Sequence, residues 1–510
     1  MRRLGLILAL FSATFFAACA AQNHRAGEIH VGIASQPGSL DSRMATDAQG
    51  IRMNRLIYNG LFKLDEKLNI VPDLAETYEL SADGKVYLIH LRKGVKFHDG
   101  SELTSADVVY SYNSIIDGSL TSPFKEAFGL VTQIVAVDPY TVRFELKEPQ
   151  APFMTAMCIG VVSEKAAREK GEQFGRSPIG SGPYRFVNWV DDSTIELAAF
   201  TDSFGAKPEN KKLFFDVVKD DNMRVLKLIK GDLDYTLNGV PPVLLDKVRE
   251  DKNLAVQSAV GTVMAYMGTN VHDPILKSVK VRQALALGLD RDSLIQYRRY
   301  GLARKANSIL PPNNWAYNSQ LPQIEFDPAK AKQLLDEAGF KDPDGDGPQT
   351  RFELSFKTST SKERIAIVEM IAEQLAKIGV AIKLESLEWG KFYEDVQGGK
   401  FQLYSLQWVG VTEPDQLYSV LDSSQTPPNG ANRTAYKNAQ VDDLVRKARR
   451  TNKQEERKNY YAKVQEIFLQ DLPQIPLWYE DNVAVYRKDL SNVALWPDAS
   501  FKPLIEVAKK

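Results

Sequence analysis

The stretch from Arg351 to Trp389 constrains this chain most. RFELSFKTS alternates Phe352, Leu354 and Phe356 with Glu353, Ser355 and Lys357, which predicts a half-buried strand. SKERIAIVEMIAEQLAKIG, ending at Gly379, reads as a helix, and VAIKLESLEW as a second strand. Strand, helix and strand with short joints make a βαβ unit, so this region is α/β. FQLYSLQWVG, from Phe401, reads as a third strand, and amphipathic helices follow near 440–452 and 454–470. Just upstream, DPAKAKQLLDEAGF carries Asp327 as N-cap, Pro328 in the first turn and Gly339 as the stop. Ala331, Leu334, Leu335 and Ala338 give that helix one apolar face.

The first half is built differently. EIHVGIA opens it as a strand, KVYLIHLRKGVKFHDG is a strand turning at Lys93-Gly94, and YTVRFELKE alternates from Tyr140. Between the last two, Thr104 and Asp107 have the spacing of a capping box. A chain of 510 residues exceeds one ordinary core. Two halves of different construction therefore predict two lobes with a ligand cleft between them.

An apolar content of 44% with 25% charged residues is that of a soluble globular protein. A net charge of -1 without a basic stripe argues against nucleic acid as a partner. Arg2 and Arg3 precede an apolar run from Leu4 to Ala18, too short for a bilayer and suited to a signal peptide. Residues 1–18 are read as that signal and 19–27 as a tether. FAAC, Phe16 to Cys19, resembles a lipobox, in which Cys19 is lipidated; cleavage after Ala20 is the alternative. With Cys19 lipidated or removed, Cys158 has no disulfide partner and is expected to be an inert buried thiol.

Catalytic and metal motifs are missing. None of His24, His30, His90, His98 and His272 sits in HExxH or at i, i+4 spacing. His90 and His98 fall on neighbouring strands of a hairpin and could face each other, but ordinary surface or half-buried histidines are the reading taken. PIGSGPY lacks the first glycine of a GxSxG elbow, and neither GxxxxGK[ST] nor a strand-associated GxGxxG occurs. The expectation is a protein that is not an enzyme and uses no cofactor. DPDGDGPQTRFE, 342–353, places Asp342, Asp344, Asp346, the Pro348 carbonyl, Thr350 and Glu353 at calcium-loop spacing. The exiting helix is absent, Gln349 stands where an apolar residue is usual, and Glu353 lies on a strand. Asp and Gly also serve a tight turn, and the turn is the reading taken.

Several strings occur together and in order: SQPGSLDS, LIYNGLFKLDEKLNIVPDLAETYELSADGKVYLIHLRKGVKFHDG, SPIGSGPYRFVNW, VRQALALGLDRDSL, DPAKAKQLLDEAGF and DLPQIPLW. Through them the chain resembles the family 5 solute-binding proteins of ABC importers, the dipeptide- and oligopeptide-binding group. The resemblance implies a two-lobed periplasmic-binding-protein-like α/β fold of class II type, closing by a hinge over its ligand. It implies a discontinuous domain I at 27–65, 178–268 and 481–510, domain II at 66–177 and domain III at 269–480. It implies a monomer that hands a peptide, or another small ligand such as an opine, sugar or metal chelate, to permease subunits; a sensor feeding a receptor is the rival.

The resemblance also implies site residues. Ligand backbone contacts fall on Ser35 to Ser39, including Gln36, Pro37 and Gly38, and on Trp408, Val409 and Gly410, with Tyr58 and Asn59 nearby. Trp389 and Trp408 match a pair of cleft tryptophans. The group's ammonium-binding aspartate, three residues past that tryptophan, is replaced by Val411, leaving Glu413 or Asp415 as substitutes. The basic residue three before it is replaced by Ser405. Arg433 suits capture of a carboxylate or a pairing with a nearby Asp. Asp273 and Arg282 read as structural.

Overall fold

The computed structural model describes residues 27–345 and 347–509. The signal peptide, Cys19 and most of the tether lie outside the described residues, as does Asp346.

The βαβ unit forms as its pattern dictates. Strands Phe352–Ser359 and Val380–Leu387 pair in parallel, with Phe352 beside Val380 and Ser359 beside Leu387. Helix Lys362–Ala376 crosses between them and buries Ile367, Val368, Ile371 and Leu375, in one cluster with Leu354 and Phe356. Strand Leu403–Trp408 joins the other edge of Phe352–Ser359, also in parallel. Asp327 caps Pro328–Glu337 by accepting from Lys330 N at 2.8 Å, and Gly339 stops the turn at φ +93°. Val281, Ala284 and Leu285 pack into the same core, and Arg282 donates to the Asp471, Leu472 and Leu276 carbonyls.

One sheet of eleven strands carries both lobes. The three strands just described lie at one end. At the other lie Tyr235–Leu237, Glu28–Ile33, Lys212–Val217, Thr194–Ala199 and Tyr184–Val190. Two long antiparallel strands, Leu254–Thr269 and Gln474–Arg487, join the ends. Residues 264–269 pair with Leu403–Trp408, whereas 484–486 pair with Tyr235–Leu237, so both strands cross from lobe to lobe. At the crossing the ladder slips: Val260 faces Asp481 and Val263 faces Glu480, leaving Gly261 and Thr262 as a bulge. A side chain at Gly261 would meet the Glu480 carbonyl at 2.8 Å.

A second, four-stranded antiparallel sheet occupies the middle of the first half, in the order Ala75–Leu80, Val86–Leu91, Thr141–Leu146, Val131–Asp138. Helix Ser105–Ile116 covers it with Val108, Tyr112 and Ile115, started by the Thr104–Asp107 capping box.

His90 and His98 do not face each other; both are half-buried with separate partners, as the reading taken expects. The chain turns again after Phe97, whose N–H donates to the Ser101 carbonyl at 2.8 Å. His98 thereby points at the glycines of PIGSGPY, its Nδ1 accepting from Gly180 N at 3.2 Å and its Nε2 lying 3.1 Å from the Gly182 carbonyl. Burial lowers its pKa to about 4, keeping the ring neutral. His90 lies instead 3.3 Å from Thr141 Oγ1. Those glycines serve close packing: a Cβ at Gly180 would lie 2.0 Å from the Ile57 carbonyl oxygen. At Gly182 it would lie 2.5 Å from that of Leu56.

Candidate functional site

The two segments expected to grip a ligand are loose ends of sheet strands. After Glu28–Ile33, Ala34, Ser35 and Gly38 are exposed, Gln36 is half-buried and Pro37 is buried. Gln36 Oε1 accepts from Asp192 N at 2.9 Å, and Gly38 N donates to Asp47 Oδ2 at 3.0 Å, so the segment is pinned to its own lobe. After Leu403–Trp408, Val409 is 76% exposed and Gly410 turns at φ +69°. Val411 then returns to the sheet, its N–H donating to the Thr262 carbonyl at 3.0 Å.

Both segments run between the same two cavities. The first chamber, of about 490 Å³, has Ala34 and Asn238 on one side, Arg364, Ser405 and Gln407 on the other, and Val263 and Asp481 of the crossing strands behind. The second, of about 220 Å³, is walled by Ser42, Ala45 and Tyr58 of the first lobe, by Thr155 and Cys158 of the middle segment, and by Thr412 of the second lobe. Residues 34–45 and 405–412 therefore each pass from one chamber to the other, and Ser35–Ser39 and Trp408–Gly410 are the parts in between. A ligand laid along that path would meet main chain from both lobes.

Charge in the first chamber is mostly spoken for. Arg299 pairs with Glu363 at 2.5 Å and Glu480 at 3.3 Å, Arg224 pairs with Asp221, and Asp481 lies 3.2 Å from Arg304. Arg364 differs. Its side chain reaches Gln407 Oε1 at 3.4 Å, and no carboxylate among the described residues comes within ion-pair distance.

The tryptophan pair forms a relay rather than a contact. Half-exposed Trp389 stacks on Tyr393 at 5.7 Å, and Trp408, buried, stacks on Tyr266 at 5.3 Å. Arg433 joins them: it donates to Tyr393 Oη at 3.2 Å and Tyr266 Oη at 3.3 Å, with its guanidinium 4.6 Å over the Trp408 ring. No carboxylate among the described residues pairs with it. Because Arg433 fixes the tryptophan from which Val409 and Gly410 extend, Arg433→Ala should weaken ligand binding tenfold or more, about 1.4 kcal/mol, in a calorimetric titration. Unchanged affinity would leave it a purely structural role.

The remaining sequence candidates have internal partners. Glu413 is bonded to Arg457 and accepts from Thr155 Oγ1 at 3.2 Å. Asp415 faces Arg449 at 3.2 Å, and burial pushes its pKa up to about 6. Tyr58 donates to the Leu40 carbonyl at 2.9 Å, and Asn59 to Asp73 Oδ2 at 2.9 Å. In the 342–353 turn, Asp344 Oδ2 accepts from Gln349 N at 3.0 Å and Asp342 lies 3.4 Å from Arg351. Glu353 is exposed on its strand. Asp342 and Asp344 thus close the turn on itself, as the turn reading requires.

Two residues escaped the sequence reading. Arg364 lies in the first turn of the helix that follows Phe352–Ser359, beyond the carboxyl end of a parallel strand, where ligands sit in open α/β sheets. That position was readable. Lys502, which lines the second chamber, stands in the tail after the last long strand and belongs to no motif.

Two lobes on one sheet, with a polar cleft lined from both, make the build of a protein that holds a solute between them. The profile of bacterial extracellular solute-binding proteins, family 5 Middle, matches residues 69–429, and the chain belongs to this family. It is 30% identical over 506 residues to the oligopeptide-binding protein AppA of Bacillus subtilis, covering 94% of this chain and 92% of that one. The dipeptide-binding protein of Escherichia coli K12 is 29% identical, with 90% of each chain covered. Among solved structures, HbpA2 from Haemophilus parasuis superposes with a TM-score of 0.85 at 27% identity, over 95% of this chain and 100% of that one.

Proposed function

We propose that this protein captures a short peptide outside the cytoplasm and presents it to the permease subunits of an ABC importer, without a chemical step of its own. The observation that carries this reading is the pair of cavities lined from both lobes, with Ala34 and Ser405–Gln407 on the first and Ser42 and Thr412 on the second, which places Ser35–Ser39 and Trp408–Gly410 in sequence between them. Extended peptides are held by such backbone contacts, with side chains left to roomy pockets. Arg364, without a carboxylate partner, supplies a place for the ligand's carboxylate in the first chamber. The AppA structure containing a nonapeptide and the relative named for dipeptides support a peptide as the solute. The reading includes a monomer of three domains, divided at 27–65, 178–268 and 481–510 for the first, 66–177 for the second and 269–480 for the third. It also includes export through the leader at 1–18 and anchoring by lipidated Cys19.

Native mass spectrometry of the full chain as purified tests the ligand. A ladder of co-purified masses spaced as amino-acid residues is expected. A single non-peptidic mass would sink the peptide assignment and leave only solute capture.

A further inference from the structure

The second chamber holds more positive than negative charge. Arg55, Lys63 and Lys502 line it, and Asp73 is the one carboxylate among its lining residues. Lys63 Nζ lies 3.0 Å from Asp73 Oδ1, Asn59 holds the other Asp73 oxygen, and Arg55 is bonded to Asp498. Two cations thus have two carboxylates, and the Lys502 ammonium has no hydrogen bond or ion pair among the described residues. Cys158, in the same wall, adds no negative charge, since burial pushes its pKa up to about 12. Lys502 also lines an adjoining cavity of about 450 Å³ together with Arg55, Lys63, Asp73 and Trp496, so an approaching group has room; Asp65, Glu66 and Glu506 line that cavity too and leave the second chamber as the more positive of the two. Desolvation lowers the Lys502 pKa to about 8, and Asp73, already paired with Lys63, offsets only part of that loss. An incoming anion supplies that charge.

We propose that this chamber is an anion subsite, in which Lys502, flanked by Arg55 and Lys63, receives a carboxylate of the captured ligand. The proposal rests on the interlobe capture reading. With Arg364 in the first chamber and Lys502 in the second, a ligand that spans the groove carries an anionic group at each end. Its class is a short dicarboxylate peptide, acidic or acylated by a diacid at the end that enters this chamber.

Trp496 lines the chamber and reports on it by fluorescence. In a titration of the full chain with succinate at fixed ionic strength, a saturable change in emission is expected. The affinity should fall at least tenfold in Lys502→Met and recover in Lys502→Arg; Trp496→Phe should remove the signal. The other charged or titratable groups around Lys502 are Asp73, Lys63, Arg55 and Cys158, with Asp65, Glu66 and Glu506 on the adjoining cavity. Deprotonating Lys502 removes the charge that attracts the anion, so succinate should bind more weakly as pH rises above about 8 in the parent but not in Lys502→Arg. Equal affinity in the parent and Lys502→Met, the same pH dependence in Lys502→Arg, or no saturable response in a protein first stripped of its co-purified ligand would each overturn the subsite. Failure to bind any peptide with succinate binding intact would count against the peptide reading and leave the subsite standing.

Discussion

Glu413→Ala should lower the stability of the protein by about 3–5 kcal/mol in chemical denaturation, the cost of leaving one half of a buried ion pair alone. Glu413 and Arg457 expose 15% and 10% of their side chains, and the guanidinium lies 5.1 Å over Trp315, where water is a poor substitute for a carboxylate. Burial alone would pull the Arg457 pKa down; Glu413 and Tyr461 reverse that and hold it above its ordinary value. The substitution also removes the bond from Thr155, which ties the middle segment to the second lobe. Glu413→Gln keeps an acceptor for both partners and should lose less. A Glu413→Ala protein within about 0.5 kcal/mol of its parent, the range of an ordinary surface change, would show that the carboxylate is not committed to Arg457 and is free to meet a ligand.

Arg364→Ala should produce the opposite profile: affinity for the co-purified peptide lower by thirtyfold or more, about 2 kcal/mol, with little change in thermal midpoint. The side chain makes a single long bond to Gln407, so the fold loses almost nothing when it goes, whereas a ligand carboxylate loses its counter-charge. Arg364→Lys should fall between, since an ammonium keeps the charge and gives up the planar fork. Titration calorimetry of the three proteins, each first stripped of ligand, decides the matter. Equal affinity in Arg364→Ala would move the carboxylate site elsewhere in the cleft.

What the sequence disclosed was what is written locally. The period-two runs at 352–356 and the Asp327 and Gly339 punctuation state the second lobe's elements within a few residues of themselves, and they form where expected. The grip segments were legible through matched strings. The charges around them were not. Glu413 looks free until Arg457, forty-four positions on, folds back against it, and Asp415 likewise meets Arg449. Lys502 becomes interesting only when Lys63, Asp73 and Arg55, all from the other end of the chain, surround it without pairing it. The partners of His98 were out of view for a related reason, because Gly180 and Gly182 lie more than eighty positions away. In the calcium-like spacing at 342–353, Asp344 and Asp342 are taken up by the turn's own backbone and by Arg351.

The slip at Gly261 and Thr262 bears on time rather than affinity. Both crossing strands belong to one continuous sheet, so any parting of the lobes would flex a ladder that is already interrupted at this point. The Thr262 carbonyl holds the N–H of Val411, two residues from Val409, and any flexing there moves the floor on which the ligand lies. The dwell time of a captured solute is then set by how often this joint gives way, and a protein can hold its cargo loosely or firmly without changing one contact to it.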